Sequence, residues 1–246
     1  MFWGSGFNKY SMLFDGVNER LVIDNAIDDL ATTTAGTWSA WVKLPSLPST
    51  ASIIIGFAQS NAAKRIILFV SPTSGLLRAV CTNTTGQWTL ETNAAAFIGG
   101  IWVHVCIVQD GTSPVLYVNG TAPAQTFTTQ VDKTQWFNNF TGLNKGRIAN
   151  YNYNSGGEAL HLSGNIDEVS IFNTNLSAAQ ISELYKNGRP ANVLNHSASA
   201  NLVSYWRMGD GTASWDGTNW TIPDETGTNN ASSVNMEQAD VEKDVP

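Results

Sequence analysis

The sequence predicts an all-β fold, a two-sheet antiparallel sandwich with one short helix near 177–187. Three observations carry this. Short apolar runs of strand length recur along the chain, separated by Gly, Pro, Asn and Ser punctuation. Several runs alternate, as in Trp38, Ala40, Val42 and Leu44 against Ser39, Trp41 and Lys43. A single segment, Ser177–Gly188, carries both a helix start and a helix stop.

The elements follow in order. Ile53–Phe57 and Ile66–Val70 are short apolar runs, and Leu76–Cys81 begins after the turn at Pro72–Gly75. Trp102–Val108 and Val115–Val118 flank Asp110–Pro114, a connection with hairpin chemistry, and Asn119–Gly120 supplies the next turn. Both faces of Trp102–Val108 are largely apolar, so this strand is either central or covered by a loop. Residues Thr126–Gly157 are less regular. In Ile166–Phe172 strict alternation places Asp167, Val169 and Ile171 on one face and Glu168 and Ser170 on the other. Ser177 and Gln180 have the spacing of a capping box, Gly188 fits the position after the helix, and Pro190 prevents continuation. Gly209–Asn230 reads as a long excursion whose Trp215 and Trp220 either pack back on the sandwich or serve an intermolecular contact.

At 246 residues the chain can bury a core without disulfide staples. A net charge of −7 without any basic run argues against a nucleic-acid partner, because phosphate-backbone binding needs clustered Lys and Arg. No apolar run has bilayer-spanning length, so no membrane partner is expected. MFWGSGFNKY lacks the pattern of a signal peptide, which leads to the expectation of synthesis in a cytoplasm. Cys81 and Cys106 lie in apolar strand segments and read as small buried hydrophobes of a reducing compartment.

Four segments, SMLFDGVNERLVID (Ser11–Asp24), TWSAWVKL (Thr37–Leu44), IWVHVCIVQDGTSPVLYVNG (Ile101–Gly120) and GNIDEVSIFNTNLSAAQISELYKNG (Gly164–Gly188), stand in a familiar order. Together they resemble a LamG-like (concanavalin A-like) jelly-roll domain of the pentraxin and laminin-G type. The resemblance implies a jelly roll over residues 11–208. An N-terminal arm, residues 1–10, would precede it. A C-terminal excursion and acidic tail, residues 209–246, would follow, packed on the same domain. LVSYWRMGDG (Leu202–Gly211) resembles the opening strand that such domains often carry at the N-terminus. Its late placement, with the ending MEQADVEKDVP, is similar to LamG-type proteins of tailed bacteriophages. By this resemblance Leu202–Arg207 should pair close to Ser11–Asp15.

Glucanases on related jelly rolls use paired carboxylates on one strand face, as glycosidic cleavage requires. Here Asp167 and Glu168 are adjacent, and adjacent strand residues point to opposite faces, so no enzyme is expected. His104, His161 and His196 accompany no nucleophile motif and read as core or surface residues. Many relatives of this type hold calcium with carboxylate, Asn and carbonyl oxygens near a sheet edge. The matching positions are Asp15, Asn18 and Asp167, with Asp110 a further candidate, so a structural calcium is the one candidate cofactor. Asp167 can instead accept hydrogen bonds from a neighbouring turn, and DGVN can be a turn alone.

The loop residues Asn150, Tyr151, Asn152, Tyr153 and Asn154 combine aromatic and amide groups, a composition that suits contact with a glycan or with a protein partner. Phe2, Trp3 and Phe7 form a candidate assembly arm that either anchors on a neighbour or folds over its own core. With the phage resemblance, these features imply a non-catalytic virion protein, made in the host cytoplasm, that decorates a capsid or forms a head fibre. Its partners would be the major capsid protein and further copies of itself, a trimer being favoured. The alternative is a carbohydrate-binding adhesin for host-surface glycans.

Overall fold

The computed structural model describes residues 8–61, 63–152 and 157–246. The first part of the chain forms β1 (Ser11–Asp15), β2 (Arg20–Val22), α1 (Ala26–Leu30), β3 (Gly36–Lys43), β4 (Ser52–Ala58) and β5 (Arg65–Val70). Then come β6 (Leu77–Asn83), β7 (Thr85–Thr92), β8 (Trp102–Gln109), β9 (Pro114–Val118) and β10 (Gln125–Gln130). β11 (Lys145–Ile148), β12 (Tyr151–Asn152), β13 (Glu158–Ala159) and β14 (Ser163–Phe172) lead into α2 (Ala178–Tyr185). The chain ends through β15 (Leu202–Trp206), β16 (Ser214–Trp215), β17 (Trp220–Ile222), β18 (Ala231–Val234) and β19 (Val241–Glu242).

Two antiparallel sheets stack face to face. The smaller runs β19-β1-β14-β3-β8-β9, and the larger runs β10-β7-β6-β5-β4-β11-β2-β18-β17-β16. Their inner faces enclose the core, where Trp38 lies 5.4 Å from Phe57 and 5.2 Å from Trp136 between ring centroids. Trp206 is fully buried and donates its indole N–H to the Asn229 carbonyl at 2.8 Å. Burying such side chains contributes on the order of 2 kcal/mol each. β3 and β8 are buried on both faces because α2 and the turns after it cover the outer side of the smaller sheet. Edge strand β10, by contrast, alternates half-buried and exposed residues. β14 crosses close to β3, where Gly164 adopts a φ of +139° and a Cβ would collide with the Lys43 carbonyl oxygen.

Leu202–Trp206 pairs close to Ser11–Asp15 but through a shared neighbour rather than directly. Both strands lie on the same edge of β14, β1 against Ser163–Ile166 and β15 against Val169–Phe172. The segment after residue 209 adds β16, β17 and β18 to the larger sheet and β19 to the smaller. Trp215 and Trp220 pack on each other at 5.6 Å, and Trp220 also packs against the core. Helix α2 has the expected capping box, with Ser177 Oγ accepting from Gln180 N at 3.3 Å and Gln180 Oε1 from Ser177 N at 2.9 Å. It ends one residue earlier than the glycine suggests, because Lys186 already adopts a left-handed φ of +45°. Helix α1, five residues in DNAIDDL, is an addition to the expected single helix; it buries Ala26, Ile27 and Leu30.

Candidate functional site

The outer side of the larger sheet concentrates the chain's cationic side chains. Ile148, Ile55 and Leu68 point into the core, so their strand neighbours Arg147, Gly56 and Ile67 point outward. By the same parity Arg20 flanks the inward Leu21, Arg65 stands opposite Ala58, and Arg78 stands opposite Phe69. Four of the six arginines therefore occupy this one face, on β2, β5, β6 and β11. At the usual strand spacing they spread over roughly 19 Å. Arg20, Arg78, Lys145 and Arg147 meet three carboxylates, Asp24, Glu91 and Glu158, so cations outnumber carboxylates in these pairs although the chain's net charge is −7.

A loop roofs part of this face. After β11 the chain folds outward through the β12–β13 hairpin and returns, closing with Leu162 N to Ala149 O at 2.7 Å. Tyr151 packs over Gly56 and joins Ile53, Ile67 and Phe69 in an apolar layer. The Arg65 guanidinium lies 6.0 Å from the Tyr151 ring centroid, and that of Arg78 lies 5.7 Å from Phe69. Arg78 also meets Glu91 at 2.9 Å.

Glu158 is the polar hub of the loop. Its carboxylate accepts from Asn150 at 2.8 Å, Asn152 at 3.1 Å and Arg147 Nε at 3.1 Å, and Arg20 Nε stands 3.5 Å away. Arg147 reaches on to Asp24 at 2.5 Å. Burial opposes the charged form of Glu158, but the hydrogen bond and charge of Arg147 outweigh it and hold the carboxyl below its ordinary range. The outcome is a braced set of guanidinium, amide and carboxylate groups beside an apolar layer, suited to hydrogen-bonding a polar ligand that carries negative charge.

Of the sequence-predicted loop residues, Asn150 and Tyr151 are buried and Asn152 is half-buried. Tyr153 and Asn154 lie outside the described residues, as do Phe2, Trp3 and Phe7 of the arm. Asp15 and Asn18 share a turn in which Asp15 Oδ1 accepts from Val17 N at 2.7 Å. Asp167 is four residues along β14 from the partner of Asp15, roughly 13 Å away, so the three candidate calcium ligands do not converge. Among the described residues no group of three or more His, Cys, Asp or Glu is placed to hold a metal.

The expected alternation in β14 fails at a bulge. Asp167 stands opposite Trp41 and Ser170 opposite Ser39, so Glu168 and Val169 share one partner position, and Glu168 takes a φ of +50°. Val169 returns to the core, whereas Asp167, Glu168 and Ser170 face the outer side. Asp167 and Glu168 therefore do not point apart, which corrects the parity argument against a carboxylate pair. Both are nevertheless sealed, at 0% and 3% exposure. Asp167 accepts from Asn8 Nδ2 and from Glu168 N, each at 2.8 Å, and Tyr205 donates its hydroxyl to Glu168. Arg207 stands 3.8 Å from both Glu168 and Asp210. Burial, then the charge of Glu168, pushes Asp167 well up, and burial pushes Glu168 up to about 8. Sealed this way, both carboxyls favour the protonated form.

A second buried polar group, Ser39 with His104 at 2.9 Å beside Cys106, lies under α2. Burial lowers His104 to about 3 and raises Cys106 to about 12, so neither serves as base or nucleophile near neutral pH. Sequence reasoning missed the arginine face altogether. The available signal was the position of Arg65 and Arg78 at the outward parity of otherwise apolar strands.

A model of the concanavalin A-like lectin/glucanase superfamily matches residues 15–182. The chain belongs to that superfamily. Comparison with curated proteins gives no match. Among solved structures, a candidate carbohydrate binding protein from Bacteroides ovatus is 16% identical with a TM-score of 0.66; the match covers 96% of this chain and 60% of that one. The CBM40 of the Ruminococcus gnavus IT-sialidase, bound to α2,3-sialyllactose, is 16% identical with a TM-score of 0.58, covering 71% of this chain and 97% of that one. A heptameric SAP-like pentraxin from Limulus polyphemus is 16% identical with a TM-score of 0.53, covering 74% and 84%. The chain thus spans 60% of the length of the Bacteroides protein, and at these identities the likeness establishes the shared fold.

Proposed function

We propose that this protein is a non-catalytic carbohydrate-binding module that takes acidic glycans on the outer face of its larger sheet. The observation that carries the reading is the gathering of four of the six arginines on that face, next to the amide-bearing loop held by Glu158. Guanidinium groups suit carboxylate recognition because they present donors in a fixed fork, and the surrounding apolar layer suits the carbon face of a sugar. The sialyllactose-bound CBM40 that shares the fold supports the ligand class. This reading takes precedence over the capsid-decoration role expected from the late LVSYWRMGDG element, because solved relatives are named for carbohydrate binding.

Calorimetric titration with 3′-sialyllactose and with lactose tests it. Binding of the acidic sugar alone is expected, weakened about tenfold by Arg65→Ala or Arg78→Ala, as loss of one charged hydrogen bond implies. Equal response to both sugars, or variants that bind like the parent chain, would refute the assignment.

A further inference from the structure

A separate concavity of about 440 Å³ lies on the opposite side of the sandwich, between α2 and the turn Val193–Asn195. Helix α2 sits on the outer face of the smaller sheet through Ile181 and Leu184. Ala179, Ser182, Glu183 and Lys186, spaced as one helical stripe, form one wall, and Ala191, Asn192 and Asn195 form the other. The alanines keep the groove open, and polar groups rim it. Glu183 is committed to Ser197, accepting from its N at 2.9 Å and its Oγ at 2.6 Å, and Asn192 Oδ1 accepts from Leu194 N at 3.1 Å. The side chains of Ser182, Lys186, Asn187 and Asn195 have no hydrogen-bond partner among the described residues.

The backbone supplies a second observation. Lys186, Asn187 and Gly188 adopt successive left-handed φ values of +45°, +57° and +87°. Glycine is the unstrained residue for such positions, yet only the last of the three is glycine. Asn tolerates this region, so Lys186 is the side chain kept at an unfavourable φ, and both it and Asn187 line the groove.

We propose that this groove is a second saccharide site, taking a neutral hexose or N-acetylhexosamine unit. The volume is within the range of small-molecule sites. Hydroxyl, amide and ammonium groups match sugar hydroxyls and an acetamido carbonyl. Glu183 and Lys186 balance in charge, so the groove lacks the cationic excess of the arginine face. The site stands independently of the acidic-glycan reading.

Amide NMR titrations of the full chain with glucose, galactose and N-acetylglucosamine test it. Saturating shifts at Ser182, Lys186, Asn187 and Asn195 are expected, with a Kd in the millimolar range. Asn195→Ala and Lys186→Gly should each weaken binding about tenfold. Lys186→Gly should leave the melting temperature unchanged or raised, which separates lost contact from lost folding. An Arg65→Ala chain should give the same titration, so failure of the arginine face does not count against the groove. Absence of saturating shifts at these amides for all three sugars, or undiminished affinity in both variants, would overturn the proposal.

Discussion

Substituting Glu168 by Gln should make the protein's stability less sensitive to alkali. Glu168 is sealed beneath Asn8 and Tyr205 among Asp167, Asp210 and Arg207, with Glu225 adding to the negative field. Three carboxylates share one nearby guanidinium, so burial favours the protonated form. Its affinity for a proton rises from an ordinary 4.5 to about 8 on folding. At about 1.4 kcal/mol for each tenfold change, the linked stability amounts to roughly 4–5 kcal/mol. The folded state binds the extra proton, so this stability is fully present below the unfolded value and is lost as pH rises through about 8. For a chain of this length the loss corresponds to roughly 10–15 °C of melting temperature. Gln at this position accepts the Tyr205 hydroxyl without a charge, and it removes one cause of the raised Asp167 carboxyl. Calorimetric melting from about pH 5 to about pH 9 should therefore show a steeper decline in the parent chain than in Glu168→Gln, whose remaining decline comes from the buried Asp167. A variant that declines as steeply as its parent would refute the account of the cluster.

Three further outcomes follow from the packing. Gly164→Ala should cost roughly 2–4 kcal/mol, since a Cβ has no room beside the Lys43 carbonyl and the φ suits glycine; chemical denaturation measures it. Arg147→Ala should destabilise by roughly 2–4 kcal/mol by leaving Glu158 and Asp24 without their shared cation, again read by denaturation. Because Glu158 is held below its ordinary range, its contribution should be lost as pH falls through that depressed value, and Glu158→Gln should remove this acid-side loss. A chain ending at Asn201 should show no cooperative melt, as it lacks β15, the Trp206 core residue and the strands that pair with β1 and β2.

Much of the architecture was legible in the residues. Apolar runs and turn punctuation located the central strands, and the Ser177–Gln180 spacing located α2 because a capping box is a local signal. The bulge in β14 was not legible, because no glycine marks the left-handed position that Glu168 occupies. The inserted residue leaves Val169, Ile171, Glu168 and Ser170 on the sides that alternation gives them and moves Asp167 alone from the apolar face to the outer side. The arginine face was hidden for a different reason. Its members come from four strands scattered over residues 20 to 147, and only the pairing of β2, β11, β4, β5 and β6 assembles them. The loop singled out by its composition lies beside the proposed arginine face, and burial of Tyr151 assigns that ring to the apolar layer and leaves the polar contacts to Glu158 and its partners.

Both approaches of the chain to its ends sit on the same side of the sandwich. Asn8 binds Asp167, and Asp244 binds Lys43 and Trp102, all on the outer face of the smaller sheet. The arginine face looks the other way. A partner seated on the segments around Asn8 and Asp244 would therefore leave the proposed glycan face uncovered. Copies mounted side by side on a common support could then engage a glycan-coated surface together, and weak single contacts would multiply into tight adhesion with no change to any one site.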